Sequence, residues 1–149
     1  MKGTAMLFVF PYVAAREKGD LAVSFPGVAG AHTWVPKGTA EAEARAIVED
    51  CLVAALGGYV EAGEPLPKAP KPKRGQKTVD LPALISAKLA LYEAMRAARI
   101  SNAGLGRRLG LQENAVRRLL DLDHRSHIGE VERALAALGR RLVVSSEAA

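Results

Sequence analysis

The sequence predicts an α+β protein in which a small domain of strands and one helix precedes an all-α domain. Three observations predict this class. Segments rich in Val, Phe and Trp within residues 6–35 favour strands, whereas residues 39–62 and 83–138 carry apolar stripes at helical spacing. Four prolines at residues 65–77 separate the two kinds of segment. We therefore predict one domain over residues 1–82, including this basic connector, and a second over residues 83–149.

The first domain is predicted to be a meander crossed by a helix. We expect strands at residues 6–10, 21–25, 31–35 and, after the helix, 78–81. Pro11 ends the first strand, and Gly19 can take the positive φ of the turn that leads into the second. The helix is expected to start at Thr39 as its N-cap and to end at Gly63 at the latest.

The first 15 residues also have the pattern of a short signal peptide, with Lys2, an apolar run and small residues. A strand explains the same residues better, because Phe8, Val9 and Phe10 favour strands. No apolar run approaches the ~20 residues that a membrane span needs. We therefore expect a cytoplasmic protein that makes no contact with membranes.

Residues 101–120 predict two short helices joined by a tight turn. Gly106, Gly110 and Val116 match the small, glycine and β-branched positions of a helix-turn-helix. The small residue permits close helix crossing, the glycine makes the turn, and the branched residue locks the second helix onto the first. The alternative is a three-helix core with a solvated basic face.

The second of these helices carries side chains that can contact DNA. Gln and Asn suit adenine, Arg suits guanine, and arginines on the preceding helix can reach phosphates. The candidate DNA-binding residues are Asn102, Arg107, Gln112, Glu113, Asn114, Arg117, Arg118 and Ser126.

The charge is unevenly distributed along the chain. Residues 1–65 carry five Lys/Arg against eight Asp/Glu, whereas residues 66–82 carry five against one and residues 83–149 carry eleven against seven. The acidic segment therefore suits a basic partner, and the basic segment suits nucleic acid. The connector at residues 65–77 is expected to be an exposed loop, with contact to nucleic acid as the alternative.

The chain end is expected to hold a last helix over residues 128–138, a stop at Gly139, and a short strand at residues 142–144. An unpaired apolar strand would leave its edge open to water. We therefore expect this strand to pair with its copy in a second chain, which would give a homodimer or a higher homo-oligomer. The alternative is that it packs within its own chain.

The sequence lacks the motifs and residue clusters that catalysis or a cofactor would need. Cys51 is the only cysteine, and we expect a buried core thiol. The three histidines are scattered, and no phosphate-binding glycine loop or nucleophile elbow is present. We predict that the protein is not an enzyme and has no metal site and no cofactor.

Two parts of the first half resemble the HicB antitoxin family: the segment GDLAVSFPGVAG at residues 19–30 and the segment GEPLP at residues 63–67. Gly27, Ala29 and Ala31 depart from the family pattern. The second half resembles the longer HicB members, which carry a helix-turn-helix. The matching segments are residues 79–82, 87–89 and 119–124, followed by Ser126.

The resemblance implies a partial RNase H-like βββαβ domain followed by a DNA-binding domain. It also implies that the first domain neutralises HicA, a small basic toxin that cleaves RNA. The second domain would bind double-stranded operator DNA and repress the operon as a dimer or higher oligomer. The acidic first half suits a basic toxin, with Asp20, Phe25 and Trp34 as candidate toxin-binding residues.

Two other functions remain open. An RNase H-type nuclease needs converging carboxylates around metal ions, and the three strands predicted within residues 6–35 contain no Asp or Glu. The other is a stand-alone transcriptional regulator whose N-terminal domain senses a ligand or a protein.

Overall fold

The computed structural model describes residues 8–148, and the chain divides after Pro82 into two compact units. The first unit contains β1 (Val9–Pro11), β2 (Val13–Glu17), β3 (Asp20–Ser24), β4 (His32–Val35), α1 (Glu41–Ala62) and β5 (Thr78–Asp80). The second contains α2 (Ala83–Ala98), α3 (Asn102–Leu109), α4 (Glu113–Leu120) and α5 (Ile128–Ala137). The predicted α+β class is confirmed.

The strands of the first unit form two small antiparallel sheets. One sheet has the order β2-β3-β4, and the other pairs β1 with β5. Ala22 of β3 lies opposite Ala15 on one side and Trp34 on the other. Only Tyr12 separates β1 from β2, and its backbone amide donates to the carbonyl oxygen of Lys77 at 3.0 Å.

We expected the first strand to form a hairpin with the strand at residues 21–25, and that pairing is wrong. Residues 6 and 7 lie outside the described residues, and Phe10 belongs to β1, which pairs with β5 rather than with β3. The hairpin partner of β3 is β2, which we did not predict. All five residues of β2 are exposed, so the strand lacks the apolar alternation that signals a buried face.

The core of the first unit lies between α1 and the strands. Val23 and Phe25 are 2% and 3% exposed, whereas Ser24 between them faces solvent, because successive side chains of a strand point to opposite faces. α1 packs against β4 and buries Val48, Leu52 and Leu56. Burial of a side chain of this size stabilises the fold by about 1.5–3 kcal/mol.

The start of α1 differs by one residue from the prediction. Ala40 is the N-cap residue, and no side chain caps the helix. Thr39 therefore precedes the N-cap residue, and its hydroxyl donates to the carbonyl oxygen of Pro36 at 2.7 Å. Glu41 in the first turn offsets part of this loss through the helix dipole. The other end agrees with the prediction, since Gly63 ends α1 at φ 68°.

The second unit is a four-helix cluster around one apolar core. α2 packs against α4 and α5, and α3 packs against the same two helices. Leu89, Leu105, Val116 and Val131 are fully buried. The guanidinium of Arg133 donates to the carbonyl oxygen of Leu109 at 3.0 Å, which ties α5 to the end of α3.

The predicted terminal strand is not formed in the single chain. Residues 142–144 have no regular secondary structure, and Val143 and Val144 are 71% and 72% exposed. A strand needs a partner strand for its backbone groups, and the described part of the second unit contains only helices. The connector at residues 65–77 also lacks helix and strand, as predicted.

Candidate functional site

The two helices predicted within residues 101–120 are present and are joined by a three-residue turn. The hydroxyl of Ser101 caps α3 by accepting from the amide of Gly104 at 3.0 Å. Gly110 ends α3 at φ 69°, a backbone conformation that favours glycine. The amide of Leu111 then donates to the carbonyl oxygen of Gly106 at 2.8 Å, and this hydrogen bond ties the turn to the last turn of α3.

The close approach of α3 and the turn requires glycine at position 106. A Cβ atom on Gly106 would lie 2.6 Å from the carbonyl oxygen of Leu111 and 3.6 Å from Cγ2 of Val116. Val116 is completely buried and holds α4 against α3. Gly106, Gly110 and Val116 therefore have the three structural roles that their sequence positions predicted.

The outward face of α4 carries polar and basic side chains. Gln112, its N-cap residue, is exposed, as are Glu113, Asn114, Arg117 and Arg118. The opposite face buries hydrophobic residues in the core of the second unit. The row combines amide donors and acceptors with two guanidinium groups, a set that can hydrogen-bond base edges and phosphates.

Glu113 and Arg117 form an exposed ion pair within this row. A carboxylate oxygen of Glu113 lies 2.9 Å from a guanidinium nitrogen of Arg117, and the two side chains are 47% and 66% exposed. Such a pair contributes about 0.3–0.5 kcal/mol to a helix. Arg117 can therefore exchange the carboxylate for another anion at small cost. Arg107 on α3 is also exposed, whereas Asn102 is half-buried at the start of α3.

A buried lysine that we did not predict from the sequence fixes the end of α4. Lys88 on α2 is 1% exposed, and its ammonium group donates to the carbonyl oxygens of Arg118, Asp121 and His124 at 2.9, 2.6 and 2.8 Å. The hydroxyl oxygen of Ser126 lies 3.0 Å from the same nitrogen, so four oxygens share its three N–H donors. Burial lowers the pKa of Lys88, and the nearby charge of Asp121 opposes part of that decrease.

A sequence signal for Lys88 did exist. Leu84, Leu91 and Tyr92 lie four residues before, three after and four after it, so Lys88 lies in the middle of the apolar stripe of α2. A single charge inside such a stripe indicates a buried group that needs partners. Its partners are 30 to 38 residues away in the chain, and local pattern could not name them.

Ser126 belongs to this buried cluster. It is 9% exposed, and its hydroxyl accepts from Lys88 and donates to the carbonyl oxygen of Arg118 at 3.2 Å. Nδ1 of His124 lies 3.1 Å from the same hydroxyl. The hydroxyl of Ser126 therefore has its hydrogen-bond partners within the protein. This arrangement argues against the DNA contact that we predicted for Ser126.

No group of three or more His, Cys, Asp or Glu side chains that could hold a metal ion occurs within residues 8–148. Cys51 is half-buried rather than fully buried, and desolvation raises the pKa of its thiol, which favours the unreactive protonated form. Among the described helices, none combines the length and apolar character needed to cross a membrane.

Comparison with known proteins identifies the family. Antitoxin HicB of Pseudomonas fluorescens is 35% identical over 150 residues, which covers the whole of both chains. Antitoxin HicB 2 of Photorhabdus laumondii subsp. laumondii is 35% identical over 89% of this chain and 92% of its own. The chain belongs to the HicB antitoxin family. Antitoxin HicB of Escherichia coli is 30% identical over 84% of this chain and 88% of its own, and no family model matches.

The three residues that the HicB resemblance suggested for toxin binding lie in different environments. Trp34 on β4 is 52% exposed and can reach a partner. The carboxylate of Asp20 accepts a hydrogen bond from the backbone amide of Lys37 at 2.9 Å, so one of its oxygens already has a partner within the unit. Phe25 is 3% exposed, and its ring centroid lies 5.7 Å from that of Tyr12. Phe25 is therefore a core residue, and its burial argues against the predicted toxin contact.

Proposed function

We propose that this HicB-family chain neutralises a HicA-type toxin through its first unit and represses its own operon by binding operator DNA through α3 and α4. The observation that carries the DNA-binding part is the exposed row Gln112, Asn114, Arg117 and Arg118 on a helix whose opposite face is buried. The antitoxin part is supported by relatives that are named antitoxins and that align over most of the chain.

The proposed DNA complex places α4 in the major groove as the recognition helix of a helix-turn-helix. Gln112 and Asn114 lie at its N-terminal end, where amide side chains can form paired hydrogen bonds with adenine. Arg117 and Arg118, one turn further on, supply positive charge for guanine or for phosphates. Arg107 on α3 is placed to contact the phosphate backbone, which fixes orientation without reading sequence.

The proposed toxin complex uses the acidic first 65 residues and the exposed indole of Trp34. Residues 1–65 carry three more acidic than basic side chains, whereas HicA-type toxins are expected to be basic. A large aromatic side chain that is half exposed on a strand is a typical interface anchor. Both proposed targets are intracellular, so a cytoplasmic location follows from the proposal.

We propose no catalytic role for the first unit, whose strands we interpret as a partial RNase H-like fold. Contrary to the expectation from sequence, the strands do contain carboxylates, because β2 ends in Glu17 and β3 begins with Asp20. These two residues face each other beside the hairpin turn. The described residues add no third His, Cys, Asp or Glu with which they could hold a metal ion.

Two measurements test the proposal against a stand-alone transcriptional regulator. The tagged chain should co-purify with a basic protein of about 60–90 residues, a size near the lower limit for an independent domain. It should also retard DNA from upstream of its own gene more strongly than unrelated DNA of equal length. DNA binding without a protein partner would favour the regulator, and a partner without DNA binding would remove the repressor role.

A further inference from the structure

We propose that Lys88 is the positioning residue of the DNA-contacting surface: its ammonium group fixes the C-terminal end of α4 and the loop at residues 121–127. This inference rests on the DNA-binding role proposed above. It assigns to α2, which carries none of the candidate DNA contacts, control over the orientation of α4.

The contacts join two segments of backbone through one atom. Nζ of Lys88 donates to the carbonyl oxygen of Arg118, inside the last turn of α4, and to those of Asp121 and His124 in the following loop. The side chain of Arg118 lies on the exposed face, while its own carbonyl oxygen binds Lys88. Movement of this backbone would therefore move a candidate DNA-contacting side chain directly.

The physical reason for a cation here is the end of the helix. The last four carbonyl groups of an α-helix have no intrahelical partner, and the C-terminal end carries partial negative charge. Nζ supplies donors and positive charge at that point. An ammonium group is compact and its donors rotate, so it suits several oxygens that converge on one point better than the planar guanidinium of arginine would.

An apolar side chain at position 88 would continue the stripe of Leu84, Leu91 and Tyr92, but it would leave the carbonyl oxygens that bind Nζ without these donors. Lysine at this position instead couples the core of the second unit to one geometry of the loop. No buried side-chain nitrogen or oxygen in the described residues lacks a hydrogen-bond partner, so the cluster is fully satisfied.

The first test is Lys88→Met in the full-length chain, with DNA from upstream of its own gene as the probe. We expect affinity for this DNA to fall at least about tenfold, the equivalent of one good base contact. Affinity for unrelated DNA should fall less than this, because the arginines that contact phosphates are all still present. Leu89→Met is the matched control, since it places methionine at a neighbouring buried position with little change in volume.

The second test restores the charge chemically. In a Cys51→Ser background, Lys88→Cys is alkylated with 2-bromoethylamine in denaturant and refolded, which attaches an aminoethyl group to sulfur and recreates an ammonium at the same reach. Recovery of operator affinity is expected after this treatment. Alkylation with ethyl iodide gives the uncharged analogue and should not restore affinity.

A third measurement does not depend on DNA. The amides of His124 and Ser126 donate to the carbonyl oxygens of Asp121 and His124 at 3.1 and 3.0 Å. In Lys88→Met these two amides should exchange with solvent faster, while the amides inside α2 and α5 keep their rates. Ser126→Ala, which removes the hydroxyl but leaves the three carbonyl contacts of Lys88, should weaken operator binding in the same direction but less.

The outcomes separate the inference from the proposed function. Native operator affinity in Lys88→Met, or unchanged exchange at His124 and Ser126, would overturn the positioning role. Loss of the helical circular-dichroism signal in Lys88→Met, together with native DNA binding by Ser126→Ala, would also overturn it. If the unsubstituted chain does not bind its upstream DNA, the proposed function fails instead, and the exchange rates still decide whether Lys88 holds the loop.

Discussion

The ammonium nitrogen of Lys88 lies 2.6 Å from the backbone carbonyl oxygen of Asp121, one residue beyond the end of α4. This contact joins α2 to the exit of α4 across 33 residues of sequence. It is charge-assisted, and Lys88 is almost completely screened from water. The end of α4 is therefore held by a specific polar contact as well as by apolar packing.

The close crossing of α3 and the turn gives the first prediction. Gly106→Ala should lower the free energy of unfolding of the second unit by about 1–3 kcal/mol, because the added methyl meets a backbone oxygen that cannot move aside. Gly129→Ala is the control, since a Cβ there meets no atom within 4 Å. That variant should be neutral or stabilising by up to ~1 kcal/mol. Urea unfolding followed by helical circular dichroism measures both, and equal effects would contradict the prediction.

The exposed row on α4 gives the second prediction. Replacing Gln112 or Asn114 should cost about 1–3 kcal/mol for each base that the side chain binds, and should change the preferred base at one position. Arg117→Ala together with Arg118→Ala should instead weaken binding to all sequences. The salt slope should fall by about one unit for each phosphate that the variant no longer binds. Gel shifts at several salt concentrations distinguish the two kinds of residue.

The chain offers a matched control for these arginines. Arg45 pairs with Glu41 at 2.7 Å in the same i, i+4 arrangement as Arg117 with Glu113, but on α1 of the first unit. Arg45→Ala removes one exposed charge and one exposed ion pair, and it should leave operator binding unchanged. Native affinity in the double Arg117 and Arg118 variant would refute the assignment of this surface.

The burial of Lys88 gives a pH prediction. Because desolvation lowers its pKa in the folded chain below the ordinary 10.5, the folded state releases this proton at lower pH than the unfolded state. Between the two pKa values the unfolded state binds more protons, so the unfolding free energy rises with pH. The difference in stability between the native chain and Lys88→Met should therefore shift in favour of the native chain as the pH rises toward 10.5.

Urea unfolding of both chains at several pH values, followed by methyl NMR signals of Val131, measures this difference within the second unit. Comparison with Lys88→Met isolates the contribution of position 88 from that of the rest of the chain. A constant difference between the two chains would show that the pKa of Lys88 is not lowered.

The exposed indole gives a prediction for the first unit. Trp34→Ala should weaken toxin binding by at least 2 kcal/mol if the side chain is an interface anchor, at roughly the level typical of such residues. Val13→Ala, also about half exposed but on β2, is the control and should have a smaller effect.

A fragment of residues 1–82 should still bind the toxin and should lose operator binding. If the NMR spectrum of this fragment shows dispersed amide signals, and the fragment is therefore folded, but it does not bind the toxin, the assignment of toxin binding to the first unit is refuted.

The parts of the fold that the sequence predicted are those set by local chemistry. Gly63 and Gly110 end helices at positive φ, as expected from the restriction that a Cβ imposes on other residues. The positions of the helices followed from apolar spacing of 3.6 residues. Thr39 shows the limit of such rules, since the helix begins one residue later than a threonine cap would place it, and the Thr39 hydroxyl bonds the turn at Pro36.

The parts that could not be predicted depend on long-range contacts. β2 pairs with β3 while all five of its residues stay exposed, so its side chains carry no pattern of a buried face. Ser126 is an ordinary polar loop residue in sequence, and its contact with the distant Lys88 could not be predicted from local pattern. Phe25 was proposed for toxin binding from family resemblance, but a strand phenylalanine in phase with Val23 is better explained as core.

The exposed chain end gives the last prediction, which concerns assembly. Val143 and Val144 have no partner strand within the described residues and stay largely exposed to water. One helix-turn-helix offers few base contacts, so such domains usually act in two-fold pairs. We expect residues 142–144 of two chains to pair as antiparallel strands, which would place two copies of α4 about one DNA turn apart, ~34 Å.

Sedimentation of residues 83–149 at micromolar concentration tests this pairing. The unsubstituted fragment should be a dimer, and Val143→Lys should dissociate it, because the substitution places a charge in the paired apolar strands. Ser146→Lys adds the same charge to the exposed tail nearby and should leave the dimer intact. A monomeric unsubstituted fragment would exclude dimerisation through this unit. A dimer that tolerates Val143→Lys would instead place the interface elsewhere, with α5 and its 42% exposed Ile128 as the next surface to test.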